Sequence, residues 1–114
     1  MKSGIALAAL DLSQLRSVTL DDRPLMRELI EALLSDTSNQ IERLRAVESP
    51  DLKECARQAH SLMGACGNVG AVSLAALFGS LERQATHGDV RLCRFTVAQI
   101  VHEVERLSLA AGII

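Results

Sequence analysis

The chain has 114 residues, a formal net charge of −2 at pH 7 and a hydrophobic content of 48%. This length suffices for one domain with its own core, and this hydrophobic content excludes a disordered chain. Its two aromatic residues are both phenylalanine and it has no basic run, so a nucleic-acid partner is not expected.

No stretch of the sequence is long and apolar enough to span a bilayer, so a membrane partner is not expected either. The three cysteines are odd in number and lack the CxxC spacing. This pattern indicates reduced thiols that pack as small hydrophobic groups, and it predicts a cytoplasmic location.

The spacing of apolar residues predicts five helices and no strands. A short first helix is expected over about 11–17. A long second helix begins near Asp21-Asp22, carries Pro24 in its first turn and runs to about Val47. Its apolar face is formed by Leu25, Met26, Leu29, Ile30, Leu33, Thr37, Ile41 and Leu44.

The third helix has a clear start signal in Ser49-Pro50-Asp51. Ser49 is the expected N-cap, Pro50 takes the first helical position, and Asp51 lies near the positive end of the helix dipole. We expect this helix to end in the segment 67–70. Its predicted buried residues are Leu52, Cys55, Ala56, Ala59, Leu62, Met63 and Cys66.

The fourth helix is expected to stop at Gly88, and Asp89 is expected to cap the fifth. The predicted buried residues are Val72, Leu74, Ala75, Leu77, Phe78, Leu81 and Ala85 in the fourth helix, and Leu92, Phe95, Val97, Ile100, Val101, Val104 and Leu107 in the fifth. Short links between long amphipathic helices predict an all-α fold, an antiparallel up-down four-helix bundle with a short additional N-terminal helix. We expect a single domain over 1–114 with a core of about 11–109.

One histidine stands at the edge of the apolar face of the third helix. On a helical wheel, Lys53, His60, Gly64 and Gly67 form a stripe beside that face, with Arg57 just outside it. Gly64 costs the helix about 1 kcal/mol relative to alanine. It also removes a side chain beside the imidazole, so another protein's backbone can approach. Helix geometry alone is equally consistent with an ordinary half-exposed histidine.

These residues form part of a longer series of motifs. The series is Ala59-His60-x-Leu62-x-Gly64, Asn68-x-Gly70-Ala71, Leu74, Leu81-Glu82 and Gly88-Asp89. With these motifs the segment from about Asp11 to Leu107 resembles the histidine-containing phosphotransfer (HPt) domains of bacterial phosphorelays.

The resemblance implies that His60 accepts a phosphoryl group from a receiver-domain aspartate, in a hybrid sensor histidine kinase for example, and donates it to another response regulator. It also implies that Glu82 hydrogen-bonds the non-reacting ring nitrogen and so orients the imidazole. Imidazole suits this role because much of it is neutral and nucleophilic at pH 7.

The sequence departs from the family at one position. HPt domains commonly have lysine three residues after the histidine, where this chain has Met63. Lys53 or Arg57 could supply part of the missing positive charge. The departure leaves open an alternative function, a degenerate module that binds receiver domains without phosphotransfer. The expected docking residues are Lys53, Arg57, Ser61, Met63, Gly64 and Gly67.

Other kinds of chemistry have little support in the sequence. It contains no GxxxxGK, nucleophile elbow or HExxH motif, and no pair of ExxH motifs that would face each other in a bundle. We therefore expect no metal and no other cofactor, although a metal-binding bundle remains the third interpretation. The chain has no room for an ATP-binding kinase domain, so it is expected to be a phosphocarrier and not an enzyme.

Overall fold

The structure, a computed structural model, describes residues 8–46 and 51–112. Over these residues the chain is helical and has no strand, so the prediction of an all-helical protein is confirmed. The helices are α1 (Leu12–Thr19), α2 (Arg23–Ala46), α3 (Leu52–Val69), α4 (Val72–Thr86) and α5 (Val90–Ala111).

Aspartate side chains begin four of the five helices, and at α2 the Asp22 carboxylate accepts a hydrogen bond from the backbone N–H of Leu25 at 3.1 Å. Asp11 accepts a hydrogen bond from the backbone N–H of Gln14 at 3.2 Å, and Asp89 accepts one from Leu92 at 3.0 Å. The start of α3 corrects the prediction, because its N-cap is Asp51 and not Ser49. The Asp51 carboxylate satisfies two backbone N–H groups and places a full negative charge at the positive end of the helix dipole. Ser49 and Pro50 themselves lie outside the described residues.

The helices pack in a closed order around one core. α3 packs on α4, α4 packs on α5, and α2 lies against both α3 and α5, while α1 covers part of α2 and α3. The largest side chains that are fully buried are Leu15, Ile30, Leu74, Phe78, Leu81, Ile100 and Leu107. Every one of the five helices except α3 contributes to this set, and α3 adds Ala59, Leu62 and Cys66 to the core.

The predicted apolar face of α5 is partly wrong. Phe95 is 63% exposed and Leu92 is 46% exposed, although both were expected in the core. The buried stripe passes instead through Cys93, Thr96 and Val97. Thr96 can be buried because its hydroxyl donates a 2.7 Å hydrogen bond to Oε1 of Gln84 on α4, so its polar atom is satisfied.

On α2, one residue that was predicted to be buried is exposed. Leu25, in the first turn, is exposed, whereas Met26, Ile30, Leu33 and Thr37 along the same predicted face are buried. The side chain of Leu44, also predicted for this face, lies outside the described residues. The core face of α2 therefore begins one residue later than the apolar pattern indicates.

The three thiols lie in the core, as predicted. Cys55, Cys66 and Cys93 are all free and buried. Burial raises the pKa of Cys66 to about 12. Burial and the neighbouring Cys93 raise the pKa of Cys55 to about 11. Because only thiolates react readily with oxidants or metals, these side chains act as small apolar groups.

Gly70 joins α1 to the end of α3. It has φ +88° and forms the C-cap of α3, so the helix ends within the predicted segment 67–70. The Gly70 carbonyl accepts a 2.7 Å hydrogen bond from the Asp11 N–H, and a Cβ at residue 70 would lie 2.5 Å from the Asp11 oxygen. Only glycine combines this positive φ with so close a backbone approach.

Across the described residues, no helix has the length and apolar character that crossing a membrane would require.

Candidate functional site

His60 stands on the outer side of α3 while its neighbours anchor the same turn in the core. Ala59 and Leu62 are buried, and the imidazole of His60 is 67% exposed. The packed neighbours fix the backbone of this turn, so the ring projects from a rigid helix into solvent. The ring is therefore accessible to a large partner.

Glu82 on α4 holds one nitrogen of this ring. Nδ1 of His60 lies 3.0 Å from Oε2 of Glu82 and 3.2 Å from Oε1. An ionised carboxylate can only accept hydrogen bonds, so Nδ1 carries the proton and donates it to Glu82. In a neutral ring the second nitrogen, Nε2, then holds the lone pair, and no described residue bonds to it. The pair thus presents an oriented nucleophile to solvent.

The two helices that carry this pair run in opposite directions. His60 meets Glu82, and one turn further along α3 the Met63 sulfur lies 3.2 Å from the position that a Cβ on Gly79 would occupy. Met63 is half-buried in this seam, so the sequence placed it correctly among the residues that pack on the core. Part of its side chain remains at the surface beside the histidine turn.

The predicted glycine stripe is an open strip on α3. Gly64 and Gly67 are exposed, and a Cβ added to either would meet no atom within 4 Å. Lys53 and Arg57 are also exposed on the preceding turns. The stripe that includes His60 is therefore continuous and free of large side chains on its C-terminal side.

The other predicted docking residues have distinct surroundings. Arg57 is paired with the carboxylate of Glu54, which accepts from Nε of Arg57 at 2.9 Å and also from Nη2. Ser61 is exposed and lines a shallow polar groove between α2 and α3, where Gln40 donates a 2.9 Å hydrogen bond to Gln58. Ser61 therefore lies on the α2 side of the histidine, opposite the α4 side where Glu82 lies.

Sequence reasoning missed Arg83, which lies on the α4 side of the site. One of its terminal nitrogens, Nη2, donates to Oγ of Ser80 at 3.1 Å. The other, Nη1, lies 3.6 Å from the position of a Cβ on Gly79, beside the Met63 sulfur. The signal that could have found it is Gly79 itself, a glycine inside the apolar face of a helix, which marks a close approach.

The described residues contain no cluster of three or more histidine, cysteine, aspartate or glutamate side chains suited to a metal ion.

Comparison with known proteins gives one match. The family model for the Hpt domain matches residues 28–110, which is most of the chain and includes both members of the His60–Glu82 pair. Searches of curated proteins and of solved structures found no match.

Proposed function

Because this chain belongs to the Hpt domain family, whose members carry phosphoryl groups in two-component phosphorelays, we propose that His60 is its phosphoacceptor. His60 takes the phosphoryl group from a receiver-domain aspartate, in a hybrid sensor histidine kinase for example, and passes it to a second response regulator. The chain is a phosphocarrier that depends on these partners.

The hydrogen bond between His60 and Glu82 is the observation that carries this proposal. Nε2 attacks the phosphorus of the aspartyl phosphate, so a P–N bond forms as the P–O bond breaks and the aspartate leaves as a carboxylate. The proton on Nδ1 stays in place, and the Glu82 carboxylate 3.0 Å away offsets the positive charge that develops on the ring. The return transfer to a second receiver reverses the same steps.

The receiver docks on the surface around His60 in this proposal. The exposed residues Lys53, Arg57, Ser61, Gly64 and Gly67 contact it, with the surface edge of Met63. Phosphoryl transfer depends mainly on alignment and charge stabilisation, so an accessible and oriented ring is the main requirement on this side of the complex.

The proposed domain architecture is that of an antiparallel four-helix bundle. α2 to α5 form the bundle, α1 is the additional N-terminal helix, and residues 11–109 form the core of one cytoplasmic domain. The closed packing order of the four long helices supports this arrangement.

The direct test is a transfer assay with labelled phospho-receiver domains. We expect wild type to take up acid-labile label and His60→Gln to take up none, because glutamine has no nucleophilic ring nitrogen. His102→Gln, which alters an exposed histidine on α5, is the matched control and should be labelled like wild type. Label retained by His60→Gln would show that His60 is not the acceptor.

Met63 supports a second candidate, a module that binds receiver domains without accepting phosphate. A lysine at this position would place positive charge near a phosphoryl group, and methionine brings none. This candidate predicts receiver binding by wild type with no label transferred in the same assay. If Met63→Lys then gains label, the missing charge is the cause.

A further inference from the structure

A phosphoryl group on His60 creates a charge problem at this site. Its oxygens carry about two negative charges, and the Glu82 carboxylate lies on the other side of the same ring. Hydrogen bonds from a cation are the strongest way to offset such charge. The residue one turn after His60 on α3 is Met63, which carries no charge.

The cations that precede His60 on its own helix are poorly placed to meet this need. Arg57 is already bound through two of its nitrogens to the Glu54 carboxylate. Glu54 holds the pKa of Arg57 above its ordinary value, as expected for a guanidinium whose charge is compensated by a partner. Lys53 lies seven residues before His60, about 10 Å along the helix.

Arg83 directly follows Glu82 on α4, and its guanidinium lies beside Gly79, about one helical turn from the His60–Glu82 pair along the same seam. Its guanidinium occupies the space above Gly79 that a larger residue would fill, next to the Met63 sulfur. The bond it makes is to the neutral hydroxyl of Ser80, and it has no ion pair within the described residues. Its side chain is exposed, so the guanidinium can exchange this bond for a stronger one with an anion.

We propose that Arg83 binds the phosphoryl group carried by His60, donating from its guanidinium to the phosphoryl oxygens. Met63 on α3 carries no charge. The positive charge at this site is supplied instead by Arg83 on α4, whose guanidinium lies beside Gly79. This role of Arg83 rests on the proposed function of His60. In it, Arg83 is in direct contact with the transferred phosphoryl group.

The first test measures the charge at the phosphoryl group without a receiver domain. Phosphoramidate transfers its phosphoryl group to an accessible imidazole nitrogen and releases ammonia, so it can load His60 directly. A nearby cation favours the dianionic form and lowers the phosphoryl pKa. We expect Arg83→Gln to raise that pKa by roughly 0.3–0.7 units in a phosphorus NMR titration.

The second test follows transfer from a phospho-receiver. Arg83→Gln should lower kcat about tenfold, the effect of losing a hydrogen bond to a charged group, with KM for the receiver nearly unchanged. Arg83→Lys should retain most of the rate. Adding Met63→Lys to Arg83→Gln should restore much of it, because residue 63 adjoins the same space. Arg16→Gln removes the same charge from α1 and serves as the control.

The outcomes separate the two proposals. If wild type gives no phosphoryl signal that depends on His60 with either donor, the proposed function and the role of Arg83 both fail. If His60 is loaded but Arg83→Gln matches Arg16→Gln in both the titration and kcat, the role of Arg83 alone is overturned. A higher phosphoryl pKa together with a lower kcat, both specific to Arg83→Gln, establishes it.

Discussion

The Glu82 carboxylate determines which nitrogen of His60 is available. Both of its oxygens lie within hydrogen-bond reach of Nδ1, so small rotations of the carboxylate keep the bond intact. The neighbouring Leu81 is buried and fixes the turn of α4 from which Glu82 extends. The orientation of the ring is thus set by packing in the core as well as by the bond itself.

We expect Glu82→Ala to slow phosphoryl transfer about tenfold or more, because outer residues that orient a reactive histidine typically contribute this much. Glu82→Gln should reduce the transfer rate less, since its amide oxygen can still accept a hydrogen bond from Nδ1 of His60. Rates from a phospho-receiver measure both changes. Glu105→Ala, which removes an exposed carboxylate from α5, is the control, and a Glu82→Ala rate equal to the control rate would contradict the orienting role.

Single residues differ in how well the sequence could identify them. His60 and Glu82 stand in motifs, so their residue types and spacing could be recognised directly. Arg83 could not be found in this way, because its position depends on the rotation of α4 against α3 and on the space above Gly79. A helical wheel describes one helix at a time and does not predict which side chains meet between two helices.

At the scale of helices, Gly70 connects the end of α3 to α1. We expect Gly70→Ala to destabilise the protein by about 2 kcal/mol or more, since it forces a side chain into a left-handed backbone and against the Asp11 carbonyl. Gly64→Ala is the matched control, because it lies in a helix with open space around it and should stabilise by about 0.5–1 kcal/mol.

Chemical denaturation of the two variants measures this contrast. The free energy of unfolding should move in opposite directions for the same added methyl group. Equal destabilisation by Gly70→Ala and Gly64→Ala would mean that the α1 connection contributes nothing specific.

The open strip on α3 gives a prediction about binding. Gly64→Gln should weaken receiver affinity at least about tenfold, because a long side chain fills the space through which the partner's backbone approaches. Circular dichroism should show unchanged helix content. The half-buried Gln14 and Gln58 are native glutamines on α1 and α3, so the fold tolerates this residue type on its helices. Unchanged affinity would contradict docking along the strip.

Helix ends and buried faces show which features of the helices a sequence pattern can predict and which it cannot. The cap at Asp89 was correctly predicted because this aspartate stands alone before its helix, whereas Asp11 was expected inside the first helix and is its N-cap. At α3 the pattern predicted Ser49 as the cap, whereas the carboxylate of Asp51 accepts hydrogen bonds from the backbone N–H groups of Lys53 and Glu54. On α5, Phe95 was misplaced because hydrophobicity alone cannot reveal that Thr96 finds a partner in Gln84 and takes the buried position.

At the scale of the whole molecule, the buried thiols make the free energy of unfolding depend on pH in the alkaline range. Burial raises the pKa of Cys55 to about 11 and that of Cys66 to about 12, from an ordinary value of 9.0. Above pH 9 the unfolded chain releases these protons while the folded chain keeps them. The contribution of the buried, protonated thiols to folding stability is therefore fully present below about pH 9 and is lost as the pH rises toward 11–12.

We expect the free energy of unfolding in urea to fall between pH 8 and pH 10.5. The chain contains no tyrosine, so no phenol titrates in this interval. Cys66→Ala should reduce the slope while lowering stability at pH 8 through the small cavity it creates. If the free energy of unfolding of Cys66→Ala fell with pH as steeply as that of wild type, Cys66 would not be the source of this pH dependence.

The connections between helices also determine the order in which the molecule assembles. α3, α4 and α5 follow one another through very short links, so their contacts form between neighbours in the chain. The bond from Gln14 to Asn68 instead spans 54 residues, and closing so long a loop costs entropy that only the finished core can offset. We therefore expect the hairpin of α3 and α4 that bears His60 and Glu82 to form early, and the contact between α1 and α3 to form late.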